Sequence, residues 1–169
     1  MRPDKIINYL QIANTVALRS PCSRRKFGAI LVKDNVIIST GYNGSVRRAW
    51  NCGEDIICLK DLYQEKPYQS YDHCPAVHAE VNVILNAARE GKSTVGSTLY
   101  LGYVNDSDKI KSDRPCRGCR RVVIQTGIKD VFYIDKDGEL QHEMVSDWVK
   151  MEDDWLKKEL ESYETENHV

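Results

Sequence analysis

The chain has 169 residues, 41% hydrophobic and 29% charged, with a formal net charge of −1. This is an ordinary soluble composition, long enough for one domain with a real core, and it is read as a single domain over 1–169. The charge balance excludes a bulk electrostatic footprint for nucleic acid, and no stretch reaches the apolar length of a membrane span. Met1-Arg2-Pro3-Asp4-Lys5 has no long apolar run behind it, so the reading is cytoplasmic, or host-cytoplasmic for a viral chain. In such a compartment the six cysteines are more readily thiolate ligands than disulfides.

Residues 4–19 carry apolar side chains at helical spacing through Ile6, Leu10, Ala13 and Ala17, with Asp4 as N-cap and Ser20-Pro21 as stop. Cys22-Ser23-Arg24-Arg25-Lys26 is a basic loop. Two apolar runs, 27–33 and 36–40, split at Asp34-Asn35 and predict a hairpin. A glycine-rich loop follows at 41–45, then an irregular excursion over 46–72 with a short helical turn, holding Cys52 and Cys58. An excursion of that length is functional or tied down by something. The spacing predicts a helix over 78–89 with an apolar face through Val81, Ile84, Leu85 and Ala88, capped at Gly91. A strand over 97–104, a charged insert over 105–114, a helix over 116–126 closed by Gly127, a strand over 129–135 and a turn at Asp137-Gly138 come next. A charged amphipathic helix over 146–163 shows Trp148, Met151, Trp155 and Leu156 on one side, as a packed terminal helix or a subunit contact. Strands alternating with helices argue for an α/β sandwich.

The chemistry centres on His78-Ala79-Glu80 and Pro115-Cys116-Arg117-Gly118-Cys119. Cys116 and Cys119, at i and i+3, lie on one helix face. At a helix start the free amides favour thiolate over thiol. His78 and Glu80 also sit at a helix start and lean past its end. If the two starts face each other, His78, Cys116 and Cys119 supply three ligands and leave a fourth position open, the pattern of a catalytic zinc site. Glu80, beside the metal, would shuttle the proton. Cys-x-x-Cys alone fits a redox pair or half a structural zinc site. Joined to His-x-Glu, with each piece opening a helix, it is the signature of zinc deaminases.

On these pieces the chain resembles the deoxycytidylate (dCMP) deaminases of the cytidine deaminase superfamily. Phe27-Gly28-Ala29-Ile30, Gly41-Tyr42-Asn43-Gly44, the helix from His78 to Arg89, Pro115 to Cys119 and Thr126-Gly127-Ile128-Lys129 appear in family order and cover most of residues 4–135. The resemblance implies a three-layer α/β/α sandwich with a central five-stranded mixed sheet. It implies a homo-oligomer, often a hexamer, activated by dCTP and inhibited by dTTP. The implied reaction converts dCMP to dUMP and ammonia, feeding thymidylate synthesis, with Glu80 passing a proton to N3 and then to the leaving amine. Backbone donors near Ala79 would fix the base.

Asn43, with Gly44, resembles the family's sugar-binding asparagine; equally, it is a turn residue in left-handed conformation. Arg24, Arg25 and Lys26 are candidates for a substrate or effector phosphate, with Arg47 and Arg48 as rivals and a solvated loop as the plain alternative. The resemblance also implies a second, structural zinc on Cys22, Cys52 and Cys74, with Cys58 or His73 as fourth ligand; buried apolar cysteines are the alternative. Two departures stand out: Val46 replaces a proline common in relatives, and 105–114 has no counterpart. The insert leaves dCTP or a modified deoxycytidylate open as substrate. A nucleic-acid deaminase fits the charge poorly. A non-catalytic zinc-binding regulator has no need of Glu80.

Overall fold

The structure is a computed structural model describing residues 2–64, 73–104 and 114–167. Helix α1 (Lys5–Ala17) starts at Asp4, whose carboxylate accepts from the Ile6 and Ile7 amides. Strands β1 (Lys26–Lys33) and β2 (Val36–Tyr42) form the expected hairpin. Asp34 and Asn35 both take positive φ at its turn, as a primed two-residue turn requires. After the hairpin come β3 (Gly44–Ser45), the short α2 (Leu59–Leu62), β4 (Ala76–Val77) and α3 (Ala79–Arg89). The chain then continues through β5 (Thr98–Val104), α4 (Arg117–Gln125), β6 (Asp130–Ile134), β7 (Leu140–Met144) and α5 (Val145–Asn167).

Five strands pair in the order β2-β1-β5-β6-β7, parallel only between β5 and β6, so the sheet is mixed. Central β1 is buried on both faces, which is why its sequence reads as an unbroken apolar run. Its alternate residues feed two cores. Ile30 and Val32 pack with Leu10 and Ala13 of α1. Ala29 and Leu31 pack with Val83 of α3, Val123 of α4 and Trp148 of α5. These are three layers, α/β/α, as the resemblance implied.

Several expectations are corrected. Gly41 and Tyr42 continue β2, and β3 pairs antiparallel with β4 through Gly44↔Val77 and Ser45↔Ala76, where a plain loop was expected. The buried stripe of α3 is Ala79, Val83, Ile84 and Ala87, whereas Leu85 is 50% exposed. Residues 81–88 are apolar nearly all round, so their phase was ambiguous. On α5 only Trp148 of the expected face is fully buried; Met151 and Leu156 are exposed. Residues 65–72 of the excursion and 105–113 of the insert lie outside the described residues.

Polar side chains of α3, of β2 and of the turn after α3 staple the helix to edge strand β2. Asn82, Asn86 and Lys92 donate to the carbonyls of Tyr42, Thr40 and Ile38, and Ser39 donates to the Val83 carbonyl. Gly41 makes this approach possible: a Cβ there would meet the Val83 amide nitrogen at 2.4 Å. Strands β2 and β5 are both antiparallel to β1 and so run the same way. Helices α3 and α4 therefore both return from the same sheet edge.

Candidate active site

At that edge the two helix starts meet. His78 is the N-cap of α3 and Cys116 the N-cap of α4, each without a side-chain cap hydrogen bond. Both are turned instead toward each other. His78 Nδ1 lies 3.6 Å from Cys116 Sγ and 3.3 Å from Cys119 Sγ. Among the described residues, His78, Cys116 and Cys119 are the group of three ligand-type side chains whose donor atoms all lie within 4.8 Å of one another. A tetrahedral zinc with Zn–S near 2.3 Å and Zn–N near 2.0–2.1 Å would set N···S edges of about 3.6 Å. The observed spacings match that to a few tenths of an ångström, and one nitrogen with two sulfurs is a donor set zinc takes.

The electrostatics point the same way. The Cys116 thiol is lowered to about 4, first by the hydrogen bond from Cys119 and then by that from His78. Cys119 moves up, because it holds the proton shared with Cys116 and because it is buried. His78 is raised by its hydrogen bond to Cys116, against the opposing effect of burial. A metal held by the trio would displace protons from these groups. Glu80 is buried, at 9% exposure, and burial is the main cause of its raised pKa. A carboxyl in that state holds a proton more readily than an exposed glutamate, which suits it to proton transfer.

His78, Glu80 and Cys116 open into a cavity of about 270 Å³ against Phe27 and Gly28 of β1 and Leu101 of β5. Of the residues singled out in the sequence, Arg24, Arg25, Asn43 and Ala79 line it, while Lys26, Gly44, Arg47 and Arg48 are not among its lining residues. Arg24 Nε is 3.5 Å from Asp61 Oδ1, and its Nη1 is buried with no hydrogen-bond partner among the described residues. Asn43 is 7% exposed and does not adopt the left-handed conformation of a turn residue. Its amide bridges the chain instead: Oδ1 accepts from the Phe27 amide at 2.8 Å and Nδ2 donates to the Arg25 carbonyl at 2.9 Å. It thereby fixes the backbone that carries Arg25 into the wall.

Two lining cations went unread in the sequence: Lys60 on α2 and Arg114 at the end of the insert. Lys60 had no signal, since the excursion has no periodicity. Arg114 adjoins the Pro115-Cys116 pair and was within reach. Of the remaining cysteines, Cys52 and Cys58 are buried and hydrogen-bonded to each other, with Cys22 near enough to act on Cys52. Cys22 and Cys74 line the cavity. These four sulfurs with His73 do not close into a set as compact as the first trio. The His73 ring stacks on Tyr63 at 4.3 Å.

The cytidine and deoxycytidylate deaminase zinc-binding region matches residues 3–135. This chain belongs to that family of hydrolytic deaminases. The deoxycytidylate deaminase of Mycobacterium phage D29 is 36% identical over 137 residues, covering 78% of this chain and 95% of the phage protein. That of Schizosaccharomyces pombe is 36% identical over 132 residues, covering 78% of this chain but 37% of the yeast protein. The chain likewise spans 57% of the Bacillus subtilis ComE operon protein 2, at 32% identity over 75% of this chain. Among solved structures, the dCMP deaminase of cyanophage S-TIM5, in complex with dCMP and dUMP, is similar with a TM-score of 0.56 and 28% identity, covering 78% of this chain and 81% of that one. The family member described here has no helix among its described residues long and apolar enough to cross a membrane.

Proposed function

We propose that this deaminase-family chain, as a single domain over 1–169, hydrolyses dCMP to dUMP and ammonia with zinc on His78, Cys116 and Cys119. The observation that carries this reading is the close-set His78–Cys116–Cys119 trio, with His78 and Cys116 opening onto one cavity that the buried Glu80 and the cations Arg24 and Arg25 also line. Zinc, when bound, supplies Lewis-acid activation of water. Glu80, buried beside the trio, moves a proton to N3 of the base and then to the leaving amine. Arg24 and Arg25 bind the 5′-phosphate, and the unpartnered Arg24 Nη1 is a donor free for it. Asn43 and Ala79 line the part of the wall where the nucleoside would rest. A cavity this small suits one nucleotide better than a strand.

The closely related substrates dCTP and modified dCMP form the second reading. It is favoured by Arg114, which ends the insert and reaches the same cavity. Activation by dCTP, inhibition by dTTP and a hexameric assembly are carried by the family resemblance. A second zinc on Cys22, Cys52, Cys58 and Cys74 is supported by the contact of Cys52 with Cys58 and the nearness of Cys22. His73, stacked on Tyr63, is the weaker fourth ligand.

The test is ammonia release from dCMP, dCTP and deoxycytidine, each with and without added dCTP and dTTP. Preference for dCMP is expected, and no release from any of the three refutes the reading. Metal analysis giving two zinc ions per chain, falling to one in Cys52→Ser, supports the second site; one in the unaltered protein removes it.

A further inference from the structure

The family match ends at residue 135, yet the segment after it reaches back to the helix that carries the thiols. Helix α4 has 9 residues and no side-chain cap. A helix that short is marginal by itself and depends on tertiary contacts. Arg114, Arg117 and Arg121 flank Cys116 and Cys119, and all three converge on two carboxylates of the following segment.

Glu143 of β7 is the first. Its Oε2 accepts from Arg114 Nε at 2.9 Å and lies 2.7 Å from Arg114 Nη2. The Tyr133 hydroxyl and the indole of Trp148 also donate to it. Trp148 is 1% exposed, so this carboxylate is anchored in the core. Arg114 Nη2 also contacts Met151 Sδ of α5 at 3.1 Å. Glu152 of α5 is the second carboxylate. It takes a two-pronged contact from Arg117, 3.2 Å at each oxygen, and a third bond from Arg121 at 3.0 Å. The Arg117 guanidinium lies 3.3 Å above the Trp155 ring. Residues just before, between and just after the two thiols are thereby tied to a segment outside the family match.

We infer that β7 and α5 clamp the start of α4 through Glu143 and Glu152, making these two carboxylates positioning residues for the Cys116–Cys119 thiolate pair. Neither touches the cavity or the thiols; each acts through arginines beside them. This rests on the zinc reading above, since the function of the clamp is to hold two ligands in place before the metal arrives. Groups behind metal ligands set metal retention, and losing one costs about 10–100-fold in affinity.

The test uses full-length, zinc-loaded protein mixed with excess chromogenic chelator well below the melting temperature. Glu143→Gln and Glu152→Gln should each release zinc about tenfold faster. Their Co(II)-loaded forms should show shifted thiolate-to-metal absorption bands. Val145→Ala is the control: it opens a hole in the same core without touching the clamp, so it lowers the melting temperature and keeps the native release rate and Co(II) spectrum. If Glu143→Gln does not fold, Arg121→Ala, at a half-exposed position, takes its place. Native release rates and native Co(II) spectra in the carboxylate variants overturn the clamp. Acceleration by Val145→Ala equal to theirs also overturns it, by making the effect one of global stability. If the unaltered protein holds no zinc, the zinc reading falls and the clamp with it; zinc held normally but released no faster removes the clamp alone.

Discussion

Gly41→Ala tests how tightly the placement of His78 depends on one missing side chain. The added Cβ would stand 2.4 Å from the Val83 amide nitrogen, 2.8 Å from Val83 Cα and 2.9 Å from the Asn82 carbonyl carbon. All three are backbone atoms, so no rotamer change relieves the clash. The first contact falls about 1 Å short of ordinary van der Waals separation. The α3 helix must therefore move off β2 by about that much, and its first residues follow. Overpacking of this kind costs about 1–3 kcal/mol, or roughly 2–12 °C in melting temperature for a chain of this size. A misplacement of about 1 Å is worth roughly 100-fold in rate. Gly102→Ala gives the comparison, because its Cβ would meet Asn14 and Ala13 of α1 at 2.3 and 2.4 Å, on the sheet face away from the site. Both variants should melt earlier, and deamination of dCMP should fall far more in Gly41→Ala. Equal melting losses with equal rates would refute the idea that α3 transmits the strain to His78.

On the proposed reading, Glu80→Gln should abolish ammonia release while metal analysis finds the native zinc content, because Glu80 is not one of the three close-set ligand-type side chains. Burial works to raise the Glu143 pKa, but hydrogen bonds from Tyr133, Trp148 and Arg114 outweigh it and the net shift is downward. A carboxylate with a depressed folded pKa stabilises the fold above its unfolded pKa, and that stability is lost as pH falls through the folded value. Glu143→Gln should thus cost about 2–3 kcal/mol at pH 7 and flatten the acid limb of a melting-temperature profile; a native acid limb would contradict the assignment. Arg117→Ala removes the cation over Trp155 and should cost about 1–2 kcal/mol, with faster amide exchange in α5 and altered tryptophan fluorescence.

The parts legible in the sequence were those with a local signal. The caps at Asp4, Gly91 and Gly127, the turn at Asp34-Asn35 and the two helix starts bearing His78 and Cys116 were read to within about two residues. The five-stranded sheet came from family resemblance, because Leu140-Gln141-His142-Glu143-Met144 has neither an apolar run nor an apolar alternation. As an exposed edge strand, β7 needs neither. The β3–β4 ladder is too short to have a period. The phase of α3 was misread because Leu85 is as apolar as Ile84; what decides between them is the fit against β2, which depends on Gly41, Asn82 and Asn86. Asn43 was weighed as sugar ligand or turn residue, and its backbone bridge to residues 25 and 27 is a long-range pairing no spacing reveals. The clamp around α4 was hidden for the same reason, since Arg114 and Glu143 stand 29 residues apart.

The two-residue pairing of Gly44–Ser45 with Ala76–Val77 has a bearing on how such a protein changes over generations. It draws together the ends of the excursion one residue before His78. A closed loop is insensitive to its own length, each doubling costing only about 0.6 kcal/mol. Length changes between 46 and 75 therefore cost little in closure entropy. Yet that same loop delivers Lys60 and Cys74 to the cavity wall. Reactivity and substrate preference are therefore separately heritable: mutation can redraft the wall while His78 stays where it is.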